Sequence, residues 1–182
     1  MIFIKSEAQS LTYVGNIGIL RFKELLKYDF INHAVSTRHG GVSVDYGLES
    51  MNLGTYTKDN IENVKQNYKL FCKAASFDVN RVVLGNQTHE LNVRYVTEAD
   101  CGKGVFVDRD YTSIDAMITD VKNVPLVIHT ADCVPVTLID TVKKVIGCAH
   151  CGWRGTYGKL ASLTLDAMLQ GFGTNPNDVV AT

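Results

Sequence analysis

The sequence predicts an α+β fold in which mixed β-sheets are flanked by helices, in a single domain. Three observations lead there. Many short β-rich runs follow one another, only two segments carry helical periodicity, and strands do not alternate strictly with helices. The 182 residues fit one domain of ordinary size, and an apolar share of 46% suffices for a sizeable core.

In chain order, "NHAVSTR" (residues 32–38) reads as a strand running into a glycine turn at Gly40-Gly41. "DNIENVKQNYKLFCKAA" (59–75) is the clearest helix. Ile61, Val64, Tyr68, Phe71 and Ala75 recur at helical spacing, and Asp59 with Glu62 forms a capping box. Short strands are then expected at "RVVL", "NVRYVT", "GVFVD", "AMIT", "PLVIHT", "PVTLID" and "KVIGCAH". The second helix is "GKLASLTLDAMLQGF" (158–172), apolar on most of its surface and closed by Gly171 and Gly173.

Composition excludes several classes. The net charge is -1 and the basic residues are scattered, so neither nucleic acid nor an anionic membrane is an expected partner. The opening apolar run stops at Lys5 and Glu7, too short for a signal peptide. The most apolar region, "VPLVIHTADCVPVTLI", is broken by His129, Asp132 and two prolines and cannot span a bilayer. Five cysteines without a repeated close spacing read as reduced thiols in a cytoplasm. The sequence does not set an oligomeric state.

Two runs concentrate metal-type residues. "VIHTADCVPVTLID" and "KVIGCAHCGW" flank a polar stretch, Asp140 to Lys144, and so read as a hairpin. If Asp140 pairs with Val145, then Val136 faces Ala149, Pro135 faces His150 and Cys133 faces Gly152. Cys133 then becomes the diagonal neighbour of His150, roughly 7 Å away between backbones. A thiolate and an imidazole so placed can meet on one zinc ion, at bond lengths of about 2.0 to 2.3 Å. A slip of one residue would send His150 to the other face. Taken singly, His150 reads as a hydrogen-bonded core residue and Cys133 as a buried thiol. Their joint placement favours a site. A third ligand is open among His33, His39, His89 and His129.

"STRHGGVS", "MNLGTYT", "NQTH", "DAMIT", "HTADCVPV" and "AHCGWRGT" occur in this order, and from about Phe30 onward the chain resembles the laccase-domain family. Its members are described as polyphenol oxidases, as purine nucleoside phosphorylases with adenosine deaminase activity, or as peptidoglycan editing factors. "ADCVPV" with "HCGWRGT" downstream is the specific part of the likeness. The resemblance implies three metal ligands: the His of a Q-x-H motif, the Cys of A-D-C, and the His before G-W-R-G. These fall on His89, Cys133 and His150. His39 and Cys151 depart from the family, which varies at the first position and has Ala at the second. Members also continue beyond "NDVVAT". The expectation is one laccase-domain-like domain over residues 1–182 without the family's C-terminal segment.

The resemblance thus implies a zinc-dependent purine nucleoside enzyme. It would split adenosine, inosine or methylthioadenosine with phosphate into base and ribose 1-phosphate, and would deaminate adenosine. Three protein ligands leave zinc a fourth position for water or substrate. Arg38 and Arg154, each beside glycines, are candidates to hold phosphate in bidentate fashion, and read equally as surface arginines in ion pairs. Asp132 orients a ligand or accepts a proton, or caps a strand end. Trp153 is expected to fill core, with stacking on a base as the alternative. Cys148 shares the parity of His150 and carries no assigned role, while Cys151 is expected to point away from the metal.

Other readings stand beside this one. The same donor set suits copper-dependent phenol oxidation, although five histidines are too few for an added multicopper cluster. Without metal, Cys133 would be a nucleophile and His150 its base, in a hydrolase acting on peptidoglycan precursors. A non-enzymatic metal-binding protein is the reading if the pocket is incomplete.

Overall fold

The computed structural model describes residues 7–45 and 47–182. The chain divides into two compact units, Met1–Val79 and Asn80–Thr182. Both combine helix with mixed or antiparallel sheet, as the α+β expectation requires. The opening apolar run at residues 1–4 lies outside the described residues.

The first unit begins with a hairpin that the sequence reading passes over. Strands β1 (Gln9–Val14) and β2 (Ile17–Phe22) pair antiparallel with Val14 opposite Ile17. Gly15 and Asn16 close the loop, and Gly15, at φ +58, supplies the left-handed conformation that a two-residue turn needs. Strand β3 (Val35–Ser36) adds to β2, so "NHAVSTR" is extended over two residues only.

Helix α1 (Ile61–Ala75) forms where expected, and Val64, Tyr68, Phe71, Cys72 and Ala75 make its buried stripe. Ile61 is not part of it and is 44% exposed. The cap also differs from expectation. Asn60, not Asp59, is the N-cap and accepts the Glu62 N–H. Asp59 is occupied elsewhere, accepting from the Ser43 hydroxyl at 2.6 Å and the Asn52 amide at 2.9 Å. Burial pushes the Asp59 carboxyl up, but the hydrogen bonds from Asn52, Ser43 and Asn63 outweigh it and hold it below the usual range. Asn67 sits in the apolar stripe without exposure because the 42–52 loop satisfies it. Its oxygen accepts the Val42 N–H, and its amide donates to Ser43 Oγ and to the carbonyls of Ser50 and Asn52. Phe71 and Ala75 pack against Ile19 of β2 and Met51.

The second unit is built on a five-stranded mixed sheet. Its strands are β5 (Val93–Tyr95), β6 (Ala116–Thr119), β8 (Val134–Asp140), β9 (Ile146–Cys151) and β10 (Val179–Ala181). They lie in the order β10-β8-β9-β6-β5, antiparallel except for the β5–β6 pair. A short parallel pair, β4 (Val83–Leu84) and β7 (Leu126–Val127), lies apart from it. The expected strand "GVFVD" does not form. Gly102 and Gly104 hold positive φ there, and a single bridge joins Lys103 to Val107.

The β8–β9 register is the one the alternation argument requires. Val136 faces Ala149 and Pro135 faces His150, and the Asp140 N–H donates to the Val145 carbonyl. Side-chain alternation then divides β9 between two tasks. Ala149 and Cys151 pack with Ala116 and with Leu160 of helix α3 (Leu160–Phe172). Cys148 packs on the opposite face with Met117, Val83, Val96 and Val124. Gly147 lets α3 approach closely, since a Cβ there would lie 3.1 Å from both Met168 Sδ and Thr164 Cγ2. Of α3, Leu160, Thr164 and Met168 are buried, and Gly173, not Gly171, is its left-handed C-cap. Among the described residues, no helix is long and apolar enough to cross a membrane.

Candidate metal centre

His89, Cys133 and His150 come from three separate elements and converge. Their ligand atoms all lie within 4.8 Å of one another. His89 sits in the loop between β4 and β5, Cys133 immediately precedes β8, and His150 is the penultimate residue of β9. Cys133 Sγ is 4.0 Å from His89 Nε2, and the two imidazoles meet edge to face with centroids 4.8 Å apart. Gly152, which follows β9, makes this approach feasible. A Cβ there would lie 2.9 Å from Cys133 Sγ and 3.0 Å from His89 Cδ2.

Asp115 holds the arrangement together, and the sequence reading gave it no role. It directly precedes β6 and is fully buried. Its Oδ1 accepts the His89 N–H at 3.0 Å and meets His150 Nδ1 at 2.8 Å. Its Oδ2 accepts the N–H groups of Thr88 and Glu90 at 3.0 and 2.9 Å. Its carbonyl accepts the His150 N–H. Three successive backbone N–H groups wrap one carboxylate because His89 adopts φ +65, which turns them to the same side. Gln87, of the same loop, fastens a second segment. Its side-chain amide donates to the His129 carbonyl at 2.7 Å and accepts the His129 N–H at 2.8 Å. Both residues stand in motifs quoted above, the Asp of "DAMIT" and the Gln of "NQTH", but their partners are distant in sequence and no local signal marks either role.

The donor set fits a zinc or copper ion. Two imidazole nitrogens and one sulfur suit either metal. A shared tetrahedral zinc would put sulfur and nitrogen about 3.6 Å apart, so the 4.0 Å separation needs only a small side-chain adjustment. Burial, together with the Asp132 and Asp115 carboxylates, pushes the Cys133 thiol up. A cation at the sulfur would oppose all of these.

The remaining candidates are placed as follows. His33 accepts the Phe22 N–H at 2.7 Å and stacks on the Phe22 ring, so it serves the first unit's sheet. His39 is exposed, and Arg38 is exposed in the first unit after β3. Burial, then Arg109 and His150, lower His129 to about 4. Asp132 is exposed. Arg154 is exposed in helix α2 (Trp153–Tyr157), with its guanidinium carbon 4.8 Å above the Trp153 ring. Trp153 does not fill core as expected and is 72% exposed. The helix starts at Gly152 and projects this first residue outward. Cys151 points away from the cluster, packed with Leu160. Burial pushes the Cys148 thiol up to about 12.

Residues 32–182 match the multi-copper polyphenol oxidoreductase laccase family, and the chain belongs to it. It is 35% identical over 150 residues to the purine nucleoside phosphorylase YlmD of Bacillus subtilis, covering 80% of this chain and 52% of that protein. It is 35% identical over 164 residues to a purine nucleoside phosphorylase of Bacteroides thetaiotaomicron, covering 90% and 60%. The crystal structure of the Bacillus licheniformis hypothetical protein YfiH superposes with a TM-score of 0.85 at 30% identity, covering 94% of this chain and 62% of that one. YlmD of Geobacillus stearothermophilus gives 0.80 at 27% identity. The chain thus spans a little over half the length of the relatives it matches.

Proposed function

We propose that this chain carries the metal centre of a purine nucleoside phosphorylase, with His89, Cys133 and His150 as ligands of zinc. The observation that carries the reading is the convergence of two imidazoles and a thiol within 4.8 Å. The names of the relatives supply the substrate class. When bound there, zinc would supply a Lewis acid with one coordination position open to water or substrate. The chain's own residues supply the rest. Asp115 engages His150 Nδ1, which leaves Nε2 as the ligand atom. Arg154, on α2 next to the end of β9, is the group we assign to phosphate, since a guanidinium matches its oxygens in pairs. Adenosine deamination at the same centre is part of the proposal.

The test is elemental analysis and activity on purified protein. About one zinc per chain is expected, lost in His89→Ala, Cys133→Ala and His150→Ala. Zinc-loaded protein should release adenine from adenosine and hypoxanthine from inosine only when phosphate is present, and inosine from adenosine without it. Folded wild type that retains no zinc would overturn the metal centre. Zinc retained without base release would overturn the nucleoside reading.

Copper is the second reading, since the same donors accept it and the family carries a multi-copper description. Phenol oxidation rising in proportion to copper content would favour it. A Cys133–His150 hydrolase has less support, because the nitrogen that meets the thiol at 4.0 Å belongs to His89.

A further inference from the structure

We propose that Asp115 is a positioning residue that presets two of the three ligands, the His89 backbone and the His150 ring, before any metal arrives. The inference rests on the metal-centre reading for its purpose, and on the hydrogen bonds alone for its geometry.

Both carboxylate oxygens of Asp115 are fully used. Oδ2 receives two backbone N–H groups, from Thr88 and Glu90. Oδ1 receives the His89 N–H and faces His150 Nδ1. Backbone N–H groups can only donate, so both oxygens act as acceptors and His150 Nδ1 is the donor of its pair. That places a proton on His150 Nδ1, so in the neutral ring Nε2 is the nitrogen with a lone pair for a metal. The same carboxylate locks the loop carrying His89 in its left-handed turn. Asp115 and His150 are joined a second time through the backbone, where the His150 N–H meets the Asp115 carbonyl at 2.8 Å. The spacing between loop and strand is therefore set by one residue from both its ends.

No neutral isostere can do this. Asparagine offers one acceptor oxygen and one NH2 group at the two positions. If the NH2 faces Thr88 and Glu90, donors oppose donors and the loop is released. If it faces His150, Nδ1 must accept, and the ring's proton moves to Nε2, where it blocks the metal. Either way a ligand is lost. The carboxylate has no unengaged oxygen, so it takes no part as a proton acceptor from substrate, which keeps its role to positioning.

The experiment has two parts. Nitrogen–proton correlation spectra of metal-free wild type, with 15N-histidine, should show His150 as the Nδ1–H tautomer. Competition with a chromophoric chelator should show Asp115→Asn binding zinc 10- to 100-fold more weakly than wild type, with the His150 pattern altered. An Nε2–H tautomer in wild type would overturn the proposal even if the variant does not fold. A folded Asp115→Asn with wild-type zinc affinity and an unchanged tautomer would overturn it too. Wild type with the Nδ1–H tautomer but no zinc binding would sink the metal centre and leave the positioning intact.

Discussion

Gly152→Ala offers a purely steric probe of the cluster. The backbone at Gly152 has φ -65 and ψ 178, which alanine adopts freely, so no conformational strain enters. The added methyl would sit 2.9 Å from Cys133 Sγ and 3.0 Å from His89 Cδ2. Carbon atoms pack at about 3.5–4.0 Å, so each ligand must retreat by roughly 0.5–1 Å. Metal sites tolerate distance errors of about 0.2 Å, so the retreat exceeds the tolerance several-fold. Zinc affinity should fall on the order of 100-fold, or about 2.8 kcal/mol. Overpacking should cost the metal-free fold about 1–3 kcal/mol. Gly147→Ala is the control. Its methyl would press on Met168, Thr164 and Ile118, on the α3 face, so stability should fall similarly while zinc affinity holds. Chelator competition reads the affinity and urea melts read the stability. Gly152→Ala binding zinc within threefold of wild type would refute the idea that Cys133 and His89 share an ion over this glycine.

In the first unit, Asn67→Ala would remove the Asn67 partner of the Val42 N–H and of the Asn52 carbonyl, and would leave the Ser50 carbonyl with only the Ser43 N–H. The expected loss is about 3 kcal/mol by urea melt, and a loss below about 1 would show that the 42–52 loop re-forms its bonds elsewhere. Asp100 gives a pH dependence. Burial pushes its carboxyl up, but the Thr97 N–H, Arg94 and Lys103 outweigh this and hold it down to about 2, against 3.8 ordinarily. A depressed carboxyl stabilises the fold above its unfolded value, and that contribution disappears as pH falls toward the folded value. The stability gap between wild type and Asp100→Asn should be constant above about pH 5 and close between about pH 4 and 2. A gap that persists at the acid end would refute the ion-pair account.

The β8–β9 hairpin was legible because its information is local. Two apolar runs meet across a short polar stretch, and once Asp140 is paired with Val145 every later partner follows, which brings Cys133 beside His150. Helix α1 was legible for the same reason, with a 3.6-residue period over fifteen positions. Its cap was misplaced by one residue because Asp59 is recruited by Ser43, which lies 16 residues away. The β1–β2 hairpin was missed despite its Gly-Asn turn. Leu11, Tyr13 and Val14 are all exposed, so β1 carries no clean alternation. Asp115 shows the limit most clearly. Its partners lie 25 to 27 and 35 residues away, and nothing in the strand that follows it marks an aspartate as buried. The choice of His89 as the third candidate ligand came from family resemblance, and local pattern alone left it among four.

Strand β6 is buried at every one of its four residues and is flanked on both sides, by β5 and β9. Backbone so enclosed opens only with the unfolding of the unit around it, so its amides belong to the slowest class in hydrogen exchange. The cluster therefore stands on two kinds of ground. His150 is anchored on β9, and both it and the loop of His89 are tied to Asp115 just before β6, while Cys133 lies on the segment just before β8, outside the sheet. Of the three side chains, Cys133 is then the one whose segment can open on a timescale faster than the breathing of the sheet.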